Sequence, residues 1–327
     1  MATVFINGSI IPQREARLSA FDAALQHGVG LFETFVAIAD SADAPRVIHL
    51  GEHLARLATS AQTLGLAETI HTDALAEAVQ RTIRQAAVDS PETIRFRIRL
   101  TITGGDLNLL EAARGHSAPQ QQPTLLIVAQ PATHYPDEIF SRGITTVLGD
   151  LKLNPLDPFQ GHKTVNYWAR LRELQQAASK RAGEAILLQV SNHLAGGCVS
   201  NILLVKDEEV FSPVSRGEEE EVAEGVDGDG IEALGDSTSG AVLPSPVLPG
   251  VVRRWALDML SSEGVRTERR LLALQDVLDA DEVFLTNSSW GVMPVVKVES
   301  RTIGDGAVGP ISRMLVERWR DLTASKG

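Results

Sequence analysis

Alternation of apolar and polar positions is clearest along Ile94-Arg95-Phe96-Arg97-Ile98-Arg99-Leu100-Thr101-Ile102-Thr103, which Gly104-Gly105 closes. Successive strand side chains point to opposite faces. The run therefore predicts a strand with one wholly apolar face and one carrying three arginines and two threonines. Val4-Phe5-Ile6-Asn7-Gly8-Ser9-Ile10-Ile11-Pro12 predicts a short hairpin about Asn7-Gly8, and residues 124–130 predict another strand. Helical spacing governs two intervening stretches. In residues 51–66, Leu54, Leu57, Ala61 and Leu64 share one face and His53, Arg56 and Ser60 another; in residues 72–87, Leu75, Val79 and Ile83 point inward.

Pro131-Ala132-Thr133-His134-Tyr135-Pro136 has the composition of a connector. A first domain is thus expected over residues 1–130, a connector over 131–138 and a second domain over 139–327. The second domain should contain strands at 144–148, 185–190, 201–206, 210–212, 282–286 and 295–298. Its helices should lie at 165–182, from Leu248-Pro249-Gly250 to about Ser262, and at 310–322. The inner stripe of the 165–182 helix reads as Trp168, Leu171, Leu174 and Ala178. Strands and helices mix without a regular βαβ rhythm, which favours an α+β fold in two domains over a doubly wound sheet.

The 327 residues are 43% hydrophobic and 22% charged, which suits a soluble globular chain of two ordinary domains. No run reaches the roughly 18 apolar residues of a membrane span, and no secretory signal is visible at the start, so a cytoplasmic location is expected. Cys198 is the single cysteine. It excludes an intrachain disulfide and a multi-cysteine metal site, and no metal is expected. The net charge of −12 is concentrated: nine acids and one arginine lie between Arg216 and Asp236, and without them 33 acids face 29 bases. That Gly- and acid-rich stretch reads as a solvated, disordered insert at about 215–240 whose removal should leave the fold intact. No basic stripe beyond the arginine strand suggests nucleic acid.

Two segments suggest chemistry: Gly161-His162-Lys163-Thr164-Val165-Asn166-Tyr167-Trp168, and Ala195-Gly196-Gly197-Cys198-Val199-Ser200-Asn201. Imine formation needs a neutral lysine amine, and a position just before a helix disfavours a further cation. In order along the chain come residues 22–34 (DAALQHGVGLFET), His53-Leu54-Ala55-Arg56-Leu57, residues 99–106, His162 to Tyr167, residues 197–204, Leu248-Pro249-Gly250-Val251 and residues 281–296 (DEVFLTNSSWGVMPVV). Taken together these resemble the fold type IV (class IV) pyridoxal-phosphate enzymes: branched-chain and D-amino-acid aminotransferases and 4-amino-4-deoxychorismate lyases.

The resemblance implies a two-domain α+β architecture with pyridoxal 5′-phosphate between the domains, and a homodimer. It implies that Lys163 forms the Schiff base and shuttles the proton at the substrate α-carbon. Arg56 would meet the cofactor phosphate, joined by the Val251 and Val252 amides at a helix start and by Ser288 and Ser289. Tyr167, Gly196, Gly197 and Asn201 would border the cofactor; Arg99, Arg97 and Glu33 would face the substrate. The family's acid opposite the pyridine nitrogen is replaced by Gly196, and an arginine common in relatives is replaced by Val36. The implied activity is amino-acid transamination to a 2-keto acid. The alternatives are aminodeoxychorismate lysis and a degenerate protein that binds the cofactor, or another phosphorylated ligand, without turnover.

Overall fold

The apolar side of the arginine strand finds its partners close by. The computed structural model describes residues 2–40, 45–106, 123–220 and 243–325. These form two units: Met1–His134 with His162–Tyr167 and the chain from Arg320 onward, and Tyr135–Gly161 with Trp168–Trp319.

The first unit contains β1 (Thr3–Ile6), β2 (Ser9–Pro12), α1 (Ala23–His27), β3 (Gly30–Ile38), β4 (Arg46–Val47), α2 (Leu50–Thr63), α3 (Thr72–Asp89), β5 (Arg95–Thr103) and β6 (Leu125–Pro131). Its sheet runs β2-β1-β6-β5-β3-β4, antiparallel throughout. Phe96, Ile98, Leu100 and Ile102 of β5 pack with Leu31, Phe35 and Ala37 of β3, Leu54 and Leu57 of α2, and Val79 and Ile83 of α3. Each of these side chains larger than alanine, fully buried, contributes about 1.5–3 kcal/mol. The polar stripe of α2 also faces inward: His53 and Ser60 are buried. His53 Nδ1 bonds Glu33 of β3 at 2.7 Å and Ser60 Oγ bonds His162 Nδ1 at 2.9 Å.

The second unit contains α4 (Asp137–Arg142), β7 (Ile144–Leu153), α5 (Trp168–Ser179), β8 (Glu184–Gln189), β9 (Leu194–Gly197), β10 (Asn201–Lys206), β11 (Glu209–Pro213), α6 (Val251–Ser262), β12 (Thr267–Arg270), α7 (Leu274–Leu278), β13 (Glu282–Asn287), β14 (Gly291–Val298), β15 (Arg301–Thr302) and, as far as Trp319, α8 (Pro310–Thr323). Its mixed sheet runs β12-β11-β10-β13-β14-β7-β8-β9, with β15 on β14. No helix among the described residues is long and apolar enough to cross a membrane.

Two expectations are corrected here. The stripe assigned to α5 is not its inner one, since Trp168 is 81% exposed and Leu171 is exposed, while Glu173 and Ala177 are buried. Glu173 turns inward because its Oε2 accepts the Asp150 amide at 2.8 Å. The acidic insert is structural at its start, and its residues 221–242 lie outside the described ones. Glu218 makes a two-pronged ion pair with Arg253 of α6, both contacts at 2.8 Å, and the Arg253 side chain is only 2% exposed. Glu219 accepts the Gly217 and Ser245 amides. Removing one partner of a buried pair strands the other charge. Glu218→Ala should therefore lower stability by about 3 kcal/mol, read as a lower urea midpoint with unchanged slope; an unaltered midpoint would make the pair dispensable.

Candidate active site

Lys163 is held by backbone pairing rather than by a helix. Phe32 N donates to Lys163 O at 2.9 Å, Val165 N donates to Gly30 O at 3.0 Å, and Leu31 bridges Thr164. The segment thus lengthens one edge of β3, and α5 begins only at Trp168, so a helix start does not influence the lysine in the way expected from sequence. Its Nζ lies 4.6 Å from the Phe32 ring centroid and 5.5 Å from that of Tyr167, and the two rings meet edge to face at 5.3 Å. The Lys163 amine has no hydrogen bond or ion pair to a described residue. The Arg99 guanidinium stacks on the same Phe32 ring at 3.7 Å. Burial, then the neighbouring charge of Arg97, pushes the Arg99 pKa down.

A second arrangement in this unit centres on Glu33. Arg56 donates Nε to Glu33 Oε1 at 2.9 Å and a terminal nitrogen to Oε2 at 2.6 Å, while His53 shares Oε2. Burial alone would raise the Glu33 pKa. The Arg56 charge, followed by the His53 and Arg56 hydrogen bonds, outweighs it and holds the carboxyl down at about 2. Burial lowers the His53 pKa, so His53 is neutral at pH 7 and donates from Nδ1. Arg56 is therefore the cation of the triad. Glu33, expected at the substrate, instead fixes the plane of Arg56: both of its oxygens are engaged and its side chain is 1% exposed.

The second unit gathers most of the remaining motif residues. Asn201 opens β10, pairs in register with Thr286 of β13, and donates Nδ2 to Leu248 O at 2.8 Å. That bond ties β10 to the Pro249-Gly250 turn. At the turn, Gly250 caps α6 without a side-chain hydrogen bond, and a Cβ there would fall 1.9 Å from Asn201 Oδ1. Val251 and Val252 follow as the first turn of α6. Ser288 and Ser289 form the β13–β14 turn, where Asn287 Oδ1 accepts the Ser289 amide at 2.9 Å and Asn287 Nδ2 reaches Val199 O at 3.3 Å.

Gly196 has φ +140°, and a Cβ on it would lie 2.8 Å from Ser200 O. This backbone conformation suits glycine, so restoring an acid at that position would require the turn itself to change. The turn is tied down from behind by Glu184 of β8. Its carboxylate accepts the Ala185 and Cys198 amides at 3.0 and 3.1 Å, and the Val199 amide and Ser200 hydroxyl at 3.3 and 3.1 Å. Burial raises the Glu184 pKa, with those hydrogen bonds acting against it. Burial likewise pushes the Cys198 thiol up, which keeps it unreactive.

The sequence places His53 beside Arg56 on one helix face but assigns it no role, and it gives none to Glu184 or the Glu218–Arg253 pair. His53 carried a usable signal, because three residues before Arg56 it shares that helix face. Glu184 carried none, being one acid ahead of an apolar run. Among the described residues no cluster of His, Cys, Asp and Glu could hold a metal ion.

The family model for class IV amino-transferases matches residues 30–226 and 238–298. Over 99% of its length the chain is 26% identical to a Methanocaldococcus jannaschii protein provisionally named a branched-chain-amino-acid aminotransferase, covering 97% of that protein. Two Arabidopsis thaliana branched-chain-amino-acid aminotransferase-like proteins, each 25% identical, are longer; the chain spans 50% and 51% of them. Among solved structures, the T.th. branched-chain amino acid aminotransferase with pyridoxamine 5′-phosphate superposes with TM-score 0.79 at 22% identity, covering 99% of this chain and 95% of the other. The Pseudomonas aeruginosa 4-amino-4-deoxychorismate lyase superposes with TM-score 0.75 at 24% identity, covering 98% and 100%. The expected α+β fold type IV architecture is thereby borne out, and the match to the family model spans well over half of the sequence: this chain belongs to the class IV amino-transferase family.

Proposed function

We propose that the protein is a cytoplasmic, pyridoxal-5′-phosphate-dependent amino-acid aminotransferase that passes an amino group to a 2-keto acid. The observation carrying this reading is Lys163: an amine without an ionic partner among the described residues, set against two aromatic rings on the edge of β3. When bound, the cofactor supplies an electron sink and a carrier for the amino group.

The chain's own residues do the rest. In the first unit, Lys163 holds the cofactor covalently and moves the proton at the substrate α-carbon. Phe32 and Tyr167 shield that amine from water, and Arg99 orients a carboxylate. Arg56, its plane set by Glu33, is an anion ligand suited to phosphate. In the second unit, the uncapped start of α6 offers the Val251 and Val252 amides to a phosphate group. Ser288 and Ser289 can add hydroxyls, while Gly196, Gly197 and Asn201 give the ring-side backbone. The family resemblance and the pyridoxamine 5′-phosphate bound in a structural neighbour support these assignments.

Gly196 keeps a second reading in view. Without an acid at that position, chemistry that demands less electron withdrawal is favoured, and release of pyruvate from aminodeoxychorismate creates an aromatic ring as its own driving force. Pyruvate formed from that substrate, with no transfer to added keto acids, would replace transamination by lysis. The test of the main reading is borohydride trapping of the cofactor, with the adduct mapped by mass spectrometry. A label on Lys163 and amino transfer to a keto acid are expected; absence of both would overturn the reading.

A second copy of the chain is the proposed partner. Phe21 and Leu25 in the first unit and Leu156, Phe159 and Trp168 in the second are large apolar residues exposed to solvent, as expected of surfaces that become covered on association. Light scattering should give about twice the 35.2 kDa chain mass, and Trp168→Asp with Phe159→Ser should shift it toward the monomer. A wild-type protein at the chain mass would refute the dimer.

A further inference from the structure

One stripe of α2 reaches two separate parts of the candidate site. His53, Arg56 and Ser60 follow one another at helical spacing, and each is tied to a residue distant in sequence. His53 and Arg56 hold Glu33 of β3, at 2.7 Å for His53 Nδ1 and 2.6 Å for the closer Arg56 contact. The Ser60 hydroxyl, on a residue only 6% exposed, bonds Nδ1 of half-buried His162 at 2.9 Å. His162 directly precedes Lys163. The same helix face therefore holds the arginine suited to phosphate and the segment that bears the amine. Ser60 stands one turn beyond Arg56, about 6 Å along the helix axis.

The Lys163 segment is secured differently on its two sides. At and beyond the lysine, backbone bonds dock it on β3: Phe32 N to Lys163 O at 2.9 Å and Val165 N to Gly30 O at 3.0 Å. Before the lysine, the tie is the His162 side chain on α2. Lys163 is thus bracketed, and its Cα cannot slide along β3 without straining a bond on one side or the other. The His162 bond suits either tautomer, because a hydroxyl both donates and accepts. Burial is the chief cause of the lowered His53 pKa, and the charges of Arg56 and Lys163 add to it, as expected of an amine held near this stripe.

We propose that Ser60 and His162 are a positioning pair that fixes the Lys163 amine relative to Arg56, so that a cofactor held by its phosphate meets the lysine in register. The inference rests on the aminotransferase reading, since only a ligand held at both points needs their spacing fixed. Covalent attachment requires the reacting atoms to approach within about 3–3.5 Å. A displaced amine therefore costs attachment rate before it costs the fold anything. The pair itself touches neither the substrate nor the reacting atoms; it acts through Lys163.

The test separates attachment from phosphate binding. Pyridoxamine 5′-phosphate carries the phosphate but no aldehyde, so it binds without using the lysine as a nucleophile. Ser60→Ala, a substitution that favours the helix, should slow borohydride-trapped attachment of pyridoxal phosphate to Lys163 by about tenfold. The affinity for pyridoxamine 5′-phosphate, read by titration calorimetry, should change by less than about twofold. His162→Ala should slow attachment to the same extent, and the double variant no further, because the two side chains act through one bond. Ser60→Thr, which keeps the hydroxyl, should restore most of the rate, and circular dichroism verifies that each variant is folded. Attachment at the wild-type rate in folded Ser60→Ala, or equal losses of attachment and of pyridoxamine 5′-phosphate binding, overturns this inference alone. A wild type that forms no adduct on Lys163 overturns the aminotransferase reading as well, so the two failures are separately visible.

Discussion

Lys163→Ala is expected to abolish borohydride-trappable attachment of pyridoxal phosphate and to reduce amino transfer by about a thousandfold or more. The covalent part is all or none, because no other described lysine shares the position: the β3 edge pairing that presents residue 163 admits one side chain there. The fold should tolerate the change. The Lys163 side chain contributes ring contacts but no hydrogen bond or ion pair to a described residue, so truncation leaves no buried group unsatisfied. Activity and stability should therefore separate, with a collapsed rate and a urea midpoint within a few tenths of a molar of the wild type. A variant that still takes up a borohydride-stable label elsewhere and still transfers amino groups would remove Lys163 from the mechanism. A variant that loses both and also unfolds would show that the lysine supports the segment it sits on.

Local pattern made part of this structure readable and left the rest out of reach. β5 was legible because its two faces differ completely, and α2 and α3 because their apolar stripes are regular. β3 was recognised only as a motif: eight of its nine residues are buried, so alternation disappears. The polar stripe of α2 was legible as a stripe but not as a buried one. Its burial depends on Glu33, 20 residues from His53 and 23 from Arg56, and no window along the helix contains that partner. α5 misled for the opposite reason. Its apolar residues do repeat at helical spacing, yet Trp168 and Leu171 lie on the open side.

The site shows the same division. Lys163 and the turn at Gly250 announce themselves by motif. The grounds for glycine at 196 lie in a backbone oxygen four residues away in sequence and a φ of +140°, which spacing does not encode. The acidic insert misled through composition, because Glu218 is one acid among nine and only the fold sets it against Arg253.

Glu33→Gln should destabilise the protein by about 3 kcal/mol at neutral pH, since it leaves the Arg56 charge largely buried without its counter-charge. The size agrees with linkage. A carboxyl held at about 2 in the folded protein against 4.5 otherwise corresponds to about 3 kcal/mol of preferential stabilisation of the ionised form. The sign follows from that depression. The stabilisation is fully present above the unfolded carboxyl's pKa near 4.5 and is lost as pH falls toward 2. His53 acts in the same direction: its lowered pKa means that the unfolded chain takes up a proton first, so acid begins to favour unfolding below about pH 6.5. The gap in urea midpoint between wild type and Glu33→Gln should therefore be widest near neutral pH and narrow between about pH 5 and about pH 3.5. Glutamine keeps the shape of glutamate and can still accept one hydrogen bond, so packing changes little and the missing charge dominates the difference. If Arg56 is the anion ligand proposed above, the variant should also need more pyridoxal phosphate to saturate, because its guanidinium no longer has a fixed plane. Full stability in Glu33→Gln, or a gap that stays constant with pH, would mean that the triad is not held by charge. A normal cofactor requirement in a destabilised variant would confine Glu33 to folding and leave Arg56 to orient itself.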